Sequence, residues 1–343
     1  MLLIIFFSLI ITIFGLAILR TWRVPNPQEQ TFSIIIACRN EEQNLPALFS
    51  FLEKIYYPKM KFEIILIDDA SNDNTLNLIK KFCNEETNRL YYHLDKKDKE
   101  YKGKKAALKI GTDNAQFDYF LFTDADCMPP KNWLNGLDNF LAKDVGMVVG
   151  YSPEKNVSDF RHFSQLMSAS VYSASIGAGL PYSSNGRNLA VSRKAFHLVG
   201  GYETIKDHPC GEDKLLLNLI KKTKYKIAYN PTEKVFTKPE RKNNYADQQK
   251  RRYGQFDISS VFYKILLSLI FLFYIYLPYQ VIVTSDLRNL GIYLFSTIIF
   301  LLATLYRHKE KFKIPYLFFI LIYPYYVIYY SILGKFGTWK WKR

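Results

Sequence analysis

The sequence predicts an α/β domain with a mainly parallel central sheet, joined to transmembrane helices, one N-terminal and about three C-terminal. Three observations predict it. Residues 1–19, 265–285, 289–306 and 314–334 contain no Asp, Glu, Lys or Arg in a chain of 343 residues that is 49% hydrophobic. Each run reaches the ~18–20 residues that a helix needs to cross a bilayer. Without these runs, roughly 245 residues remain in one block, enough for a single domain with its own core. Within that block, short β-branched runs alternate with segments of helical spacing, the pattern of a parallel sheet with right-handed crossovers.

Taken in order, residues 1–19 form an anchor and residues 20–30, with Pro25 and Pro27, a linker. The run lacks a basic leading region and a small-residue cleavage site, so it reads as uncleaved rather than as a signal peptide. The α/β domain spans 31–243. TFSIIIAC at 31–38 is too short and too β-branched for a helix and reads as a buried strand. A helix is expected to open at Asn40 to Glu42 and run through Phe51. FEIILI at 62–67 is a second strand, and SNDNTLNLIKKF at 71–82 begins with capping residues and continues as a helix. LYYHL at 90–94, a helix over about 104–115 and a strand over 118–122 repeat the alternation. Residues 244–264 read as an amphipathic segment lying on the membrane. Pro324 falls in the middle of the last apolar run, so that run is either a full span or a Pro-broken re-entrant segment.

The net charge of +15 invites a nucleic-acid reading, but its placement argues against one. Arg20 and Arg23, Lys250 to Arg252 with Lys264, Arg307 to Lys313 and Lys335 to Arg343 all flank apolar runs, where they meet anionic headgroups and set orientation. Arg20 and Arg23 place the α/β domain on the cytoplasmic face of the inner membrane. The basic loop at 307–313 then lies inside, whereas a fourth full span leaves the basic C-terminus outside. Cys38, Cys83, Cys127 and Cys210 form no CxxC pair and no ligand spacing with His, so neither a zinc site nor a disulfide framework is expected.

Acids collect where the predicted strands end. FEIILI runs into Asp68 and Asp69, and the strand at 118–122 runs into Thr123, Asp124, Ala125 and Asp126. In parallel sheets, ligands bind beyond the carboxyl ends of the strands. Two carboxylates at a turn there suit Mg2+ or Mn2+ with a diphosphate completing the shell, although Asp also favours turns for its own sake. GEDKLL at 211–216 places Glu212 and Asp213 at a helix start, where an acid either caps or catalyses.

RNEEQN, IDDASND, GKKAAL, FTDADC, GRNLAVSRKAF with VGGY, GEDKLL and QKRRY follow one another over about residues 31–255. Their order resembles that of the family 2 glycosyltransferases, in particular the membrane-bound branch of polysaccharide synthases and lipid glycosyltransferases. The resemblance implies a GT-A fold, a nucleotide-sugar donor and inversion at the anomeric carbon. It further implies that Asp213 is the general base, that Asp124 and Asp126 serve the metal and the donor diphosphate, and that Asp69 reads the nucleotide base, usually uracil. Glu41 matches an acidic residue on the nucleotide side. Gln249, Arg252 and Tyr253 match a Gln-x-x-Arg-Trp motif with Tyr in place of Trp. There Arg252 meets diphosphate oxygens, while Gln249 and Tyr253, with Glu212 and Asn188, face the acceptor. A single displacement needs no covalent nucleophile, so His197 and His208 are expected to be ordinary histidines. The acceptor is expected to be a membrane-associated lipid or glycan. Two alternatives stand beside this: a processive polysaccharide synthase, against which the uncharged spans argue, and an inactive scaffold, against which the intact acids argue.

Overall fold

The computed structural model describes residues 2–95, 101, 103–208, 210–239, 242–254, 261–284 and 287–337. In chain order these form α1 (Leu2–Ile18), β1 (Phe32–Cys38), α2 (Leu45–Leu52), β2 (Phe62–Asp69), α3 (Thr75–Cys83), β3 (Arg89–Leu94), α4 (Lys105–Asn114), β4 (Tyr119–Phe122) and β5 (Cys127–Met128). There follow α5 (Trp133–Asp138), β6 (Val145–Gly150), α6 (Asp159–Gly177), β7 (Leu189–Ser192), α7 (Arg193–Leu198), α8 (Glu212–Ile220), β8 (Lys226–Asn230) and β9 (Phe236–Thr237). Last come α9 (Lys242–Tyr253), α10 (Val261–Thr284), α11 (Leu287–His308) and α12 (Tyr316–Phe336). They fall into two compact units: Thr21–Lys155 with Ser183–Lys238, and Met1–Arg20 with Asn156–Tyr182 and Pro239–Arg343.

The first unit is built on a seven-stranded sheet in the order β3-β2-β1-β4-β7-β6-β8. β1 pairs in parallel with β2 and β4, β2 with β3, and β6 with β8. β7 runs antiparallel to both β4 and β6. Helices cover both faces, which is why β1 and β2 read as near-continuous apolar runs. Ile34, Ile36, Ile64 and Leu66 pack with Leu48, Leu52, Ile79 and Phe82 from α2 and α3, while Gly111 of α4 lies against Ile35 and Ile67 of the alternate register.

Parallel pairing brings the carboxyl ends of β1, β2 and β4 to one edge. Antiparallel β7 enters the sheet there, with Leu189 opposite Phe122, so residues 186–188 arrive at the same edge. The strand walk in the sequence did not anticipate this reversal. Two helices also start later than expected, at Leu45 and Thr75. Asn40 takes a positive φ of 53°, and residues 40–44 and 71–74 lace to each other instead of extending helices.

In the second unit, α10, α11 and α12 have 24, 22 and 21 residues and are long and apolar enough to cross a membrane; α1 has 17. α12 runs unbroken through Pro324, so the segment is a single helix rather than two halves. Gly15 of α1 lies against Phe300 of α11, and Arg307 Nη2 donates to the Arg20 carbonyl at 2.9 Å. The two helices therefore run side by side in the same direction with their basic ends together. α6, which interrupts the expected 31–243 domain, belongs to this unit. Its Ser- and Ala-rich surface permits close packing: a Cβ on Gly177 would come 1.9 Å from the Ala17 carbonyl oxygen. The expected loop at 286–288, the amphipathic stretch at 255–260 and the basic tail from 338 lie partly or wholly outside the described residues.

Candidate active site

The loops after β1 and β2 brace each other at the sheet edge. The Asn40 amide donates to Ser71 Oγ at 3.0 Å, the Asn72 amide to Asn40 Oδ1 at 2.9 Å and the Glu41 amide to Thr75 Oγ1 at 2.8 Å. Glu41 Oε2 accepts from Asn44 Nδ2 at 2.5 Å, and Asn44 Oδ1 accepts from Lys238 Nζ at 2.8 Å. The Glu41 carboxylate is thus oriented by a side chain from the far end of the domain. Asp69 closes β2 and is almost fully buried. Its neighbour Asp68 is fully buried, with Oδ2 2.7 Å from His93 Nδ1 across the β2–β3 pair. Burial pushes the His93 pKa down, but contacts with Asp68 and Asp95 outweigh it and the net direction is up.

β4 delivers Asp124 and Asp126 to the same edge. A two-stranded ladder of β5 and β9 holds the turn from beyond, with the Lys238 amide donating to the Asp126 carbonyl at 3.2 Å. α8 approaches through Gly211, whose φ of 79° lies in the left-handed region that favours glycine. That turn aims the first residues of α8 at Asp124. Lys104, just before α4, bridges the two segments: its Nζ is 2.9 Å from Asp124 Oδ1 and 3.3 Å from Glu212 Oε1. Asp213 Oδ1 accepts from the Lys214 amide at 2.8 Å and Oδ2 from the Gly186 amide at 3.0 Å. Burial, and then the neighbouring Glu212 charge, push the Asp213 carboxyl up to about 6 against the pull of those amides and of Lys104. A carboxylate fixed by two amides and made more basic than usual is suited to accept a proton near neutral pH.

One unit therefore brings together Glu41, Asp69, Asp124, Asp126, Glu212 and Asp213. Asn188 sits at the same edge, but the expected contact with an acceptor is corrected by its surroundings. It is 1% exposed, its Oδ1 accepts from Trp133 Nε1, and its Nδ2 donates to the carbonyls of Tyr151 and Glu233. Asn188 is a strut between strands and presents no surface to a substrate. Gln249, Arg252 and Tyr253 belong to the other unit. There Arg252 is hydrogen-bonded to Tyr172, Tyr253 Oη lies 3.4 Å from both Ser164 Oγ and Tyr323 Oη, and Gln249 is buried. Lys104 is the member of the site that sequence reasoning missed. GKKAAL marks a loop entering a helix, but only the fold reveals its pairing with acids 20 and 108 residues away.

Residues 33–196 match the family model described as Glycosyl transferase family 2. The chain carries a family 2 glycosyltransferase domain. It is 29% identical over 119 residues to the glycosyltransferase AglE of Haloferax volcanii, covering 34% of this chain and 38% of that one. To the poly-β-1,6-N-acetyl-D-glucosamine synthase of Staphylococcus aureus it is 35% identical over 94 residues, 27% of this chain and 21% of the other. The matched stretches thus span well under half the length of these relatives. The mannosyltransferase PcManGT from Pyrobaculum calidifontis, solved in complex with GDP-Man and Mn2+, superposes with a TM-score of 0.64 at 16% identity, over 96% of this chain and 94% of that one. The glycosyltransferase domain here has the same GT-A fold, mostly parallel as expected.

Asp124 and Asp126 fit a divalent cation by ligand type, being two partly exposed carboxylates on one turn. Among the described residues no three His, Cys, Asp or Glu side chains cluster as a cage. The rest of a shell would come from water and substrate oxygens, the usual habit of Mg2+. All four cysteines are buried.

Proposed function

We propose that this domain transfers a sugar, with inversion, from a nucleoside diphosphate donor, UDP-linked in the first instance, to a lipid or glycan acceptor at the membrane. The observation that carries the proposal is the convergence of Asp124, Glu212 and Asp213 around Lys104, at the sheet edge where β1 and β2 also end. Asp69 and Glu41 hold the nucleotide. Asp124 and Asp126 hold Mg2+ or Mn2+, which supplies positive charge to the departing diphosphate when bound. Asp213 takes the proton of the acceptor hydroxyl as its oxygen attacks the anomeric carbon from the face opposite the diphosphate. The carbon–oxygen bond to the diphosphate then breaks, and its electron pair leaves with the diphosphate. Glu212 and Lys104 set the charge around that base. The domain is proposed to face the cytoplasm.

This reading is tested by turnover of UDP-sugar and GDP-sugar panels with membrane extracts. Asp126→Asn is expected to lower turnover by at least ~10²-fold, since it weakens the group that balances leaving-group charge. Normal turnover of that variant with metal chelated would remove the metal from the reaction. A processive synthase, the second reading, has the S. aureus relative in its favour and would yield long products rather than single additions.

A further inference from the structure

We propose that Lys104 makes cation binding conditional on the donor: it competes with the cation for Asp124 and turns to the diphosphate when the donor arrives. The proposal rests on the reading above, in which Asp124 and Asp126 serve a divalent ion.

The geometry is specific. Lys104 Nζ is 2.9 Å from Asp124 Oδ1 and 3.3 Å from Glu212 Oε1, with 28% of the lysine side chain exposed. A Cβ built on Gly186 would lie 4.0 Å both from Lys104 Nζ and from Asp213 Oδ2, so the ammonium also borders the proposed base. A lysine ammonium carries its charge at neutral pH, so Lys104 sets a positive charge directly on Asp124.

A dication approaching Asp124 meets this charge within a few ångströms of the same carboxylate, in a partly desolvated site where repulsion between like charges is weakly screened. Among the described residues no three His, Cys, Asp or Glu side chains form a ready-made cage for the ion, so it depends on oxygens from water or substrate. A diphosphate changes both terms. It provides oxygens for the ion, and it offers Lys104 an anion to replace Asp124. Such a coupling is reciprocal: the factor by which the nucleotide tightens the cation equals the factor by which the cation tightens the nucleotide.

The test is calorimetric titration of the purified full-length protein with MnCl2, alone and with uridine or guanosine diphosphate. Lys104→Gln is the principal variant. Lys104→Met, which keeps an unbranched stem, serves if Gln does not fold, and Lys104→Arg retains the charge. Removing the charge is expected to tighten Mn2+ binding without nucleotide by ~10-fold, to weaken nucleotide binding with Mn2+ present, and to shrink the coupling factor by ~10-fold or more. Lys104→Arg keeps the coupling within about threefold of the parent, inside the ordinary scatter of such measurements. The opposite signs matter, because a merely damaged site binds both ligands more weakly. Unchanged or weaker Mn2+ binding without nucleotide in Lys104→Gln, beside intact coupling in the parent, would overturn this role and leave the proposed function standing. Absence of Mn2+ binding to the parent with either nucleotide would overturn both.

Discussion

At the scale of single residues, the acid at the start of α8 is defined by what surrounds it. Asp213 is held by two backbone amides yet pushed up to about 6 by burial and by Glu212. A base works only when deprotonated, so a raised pKa shifts the acid limb of the rate profile upward. kcat/KM is expected to fall about tenfold per pH unit below pH 6 and to level off above it, as measured by initial rates at saturating metal. A profile flat down to pH 4.5 would mean another group takes the proton. The sequence made Asp213, Asp124 and Asp126 legible because an acid after a buried strand or before a helix is a local pattern. Asn188 was misread for the same reason. Its motif is local, but its burial against Trp133 and Glu233 is decided by residues 55 and 45 positions away.

Among the elements, β1, β2 and β4 were readable because their short runs are largely apolar, and β2 and β4 run on into acids. β7 was harder. Nothing in LAVS encodes its direction, which shows only in its antiparallel pairing with β4 and β6. α6 itself reads ambiguously, since Ser and Ala suit both a polar surface and close helix packing, and only its contacts with α1 and α12 decide the matter. Gly177 lies against the Ala17 carbonyl of α1 with no room for a Cβ. Gly177→Val is expected to destabilise the protein by ~1–3 kcal/mol through overpacking against the Ala17 carbonyl, visible as a lower Tm in detergent. Gly291→Ala in α11, where an added Cβ meets nothing within 4 Å, is expected to leave the Tm unchanged or slightly raised, by up to about 1 kcal/mol of helix propensity.

For the molecule as a whole, three long apolar helices and a shorter one are tied to a glycosyltransferase domain, and the parallel course of α1 and α11 groups the basic residues at Arg20 and Arg307 on one side. In the proposed orientation, which sets that side in the cytoplasm, a full α12 span carries its C-terminal end across the membrane. Because all four native cysteines are buried, labelling of a Gly337→Cys variant has little background. Reaction with an impermeant maleimide in intact cells is expected, and protection until the membrane is opened would mean α12 does not span. The central claim, that one sheet edge assembles a sugar-transfer site with Asp213 as its base, is tested most directly by measuring donor binding and transfer side by side in Asp213→Asn. The substitution is nearly isosteric but cannot accept the proton. Donor affinity is expected to stay within about threefold of the parent, with transfer reduced by ~10²-fold or more. Loss of donor binding as deep as the loss of transfer, or transfer at the parent rate, would contradict that claim.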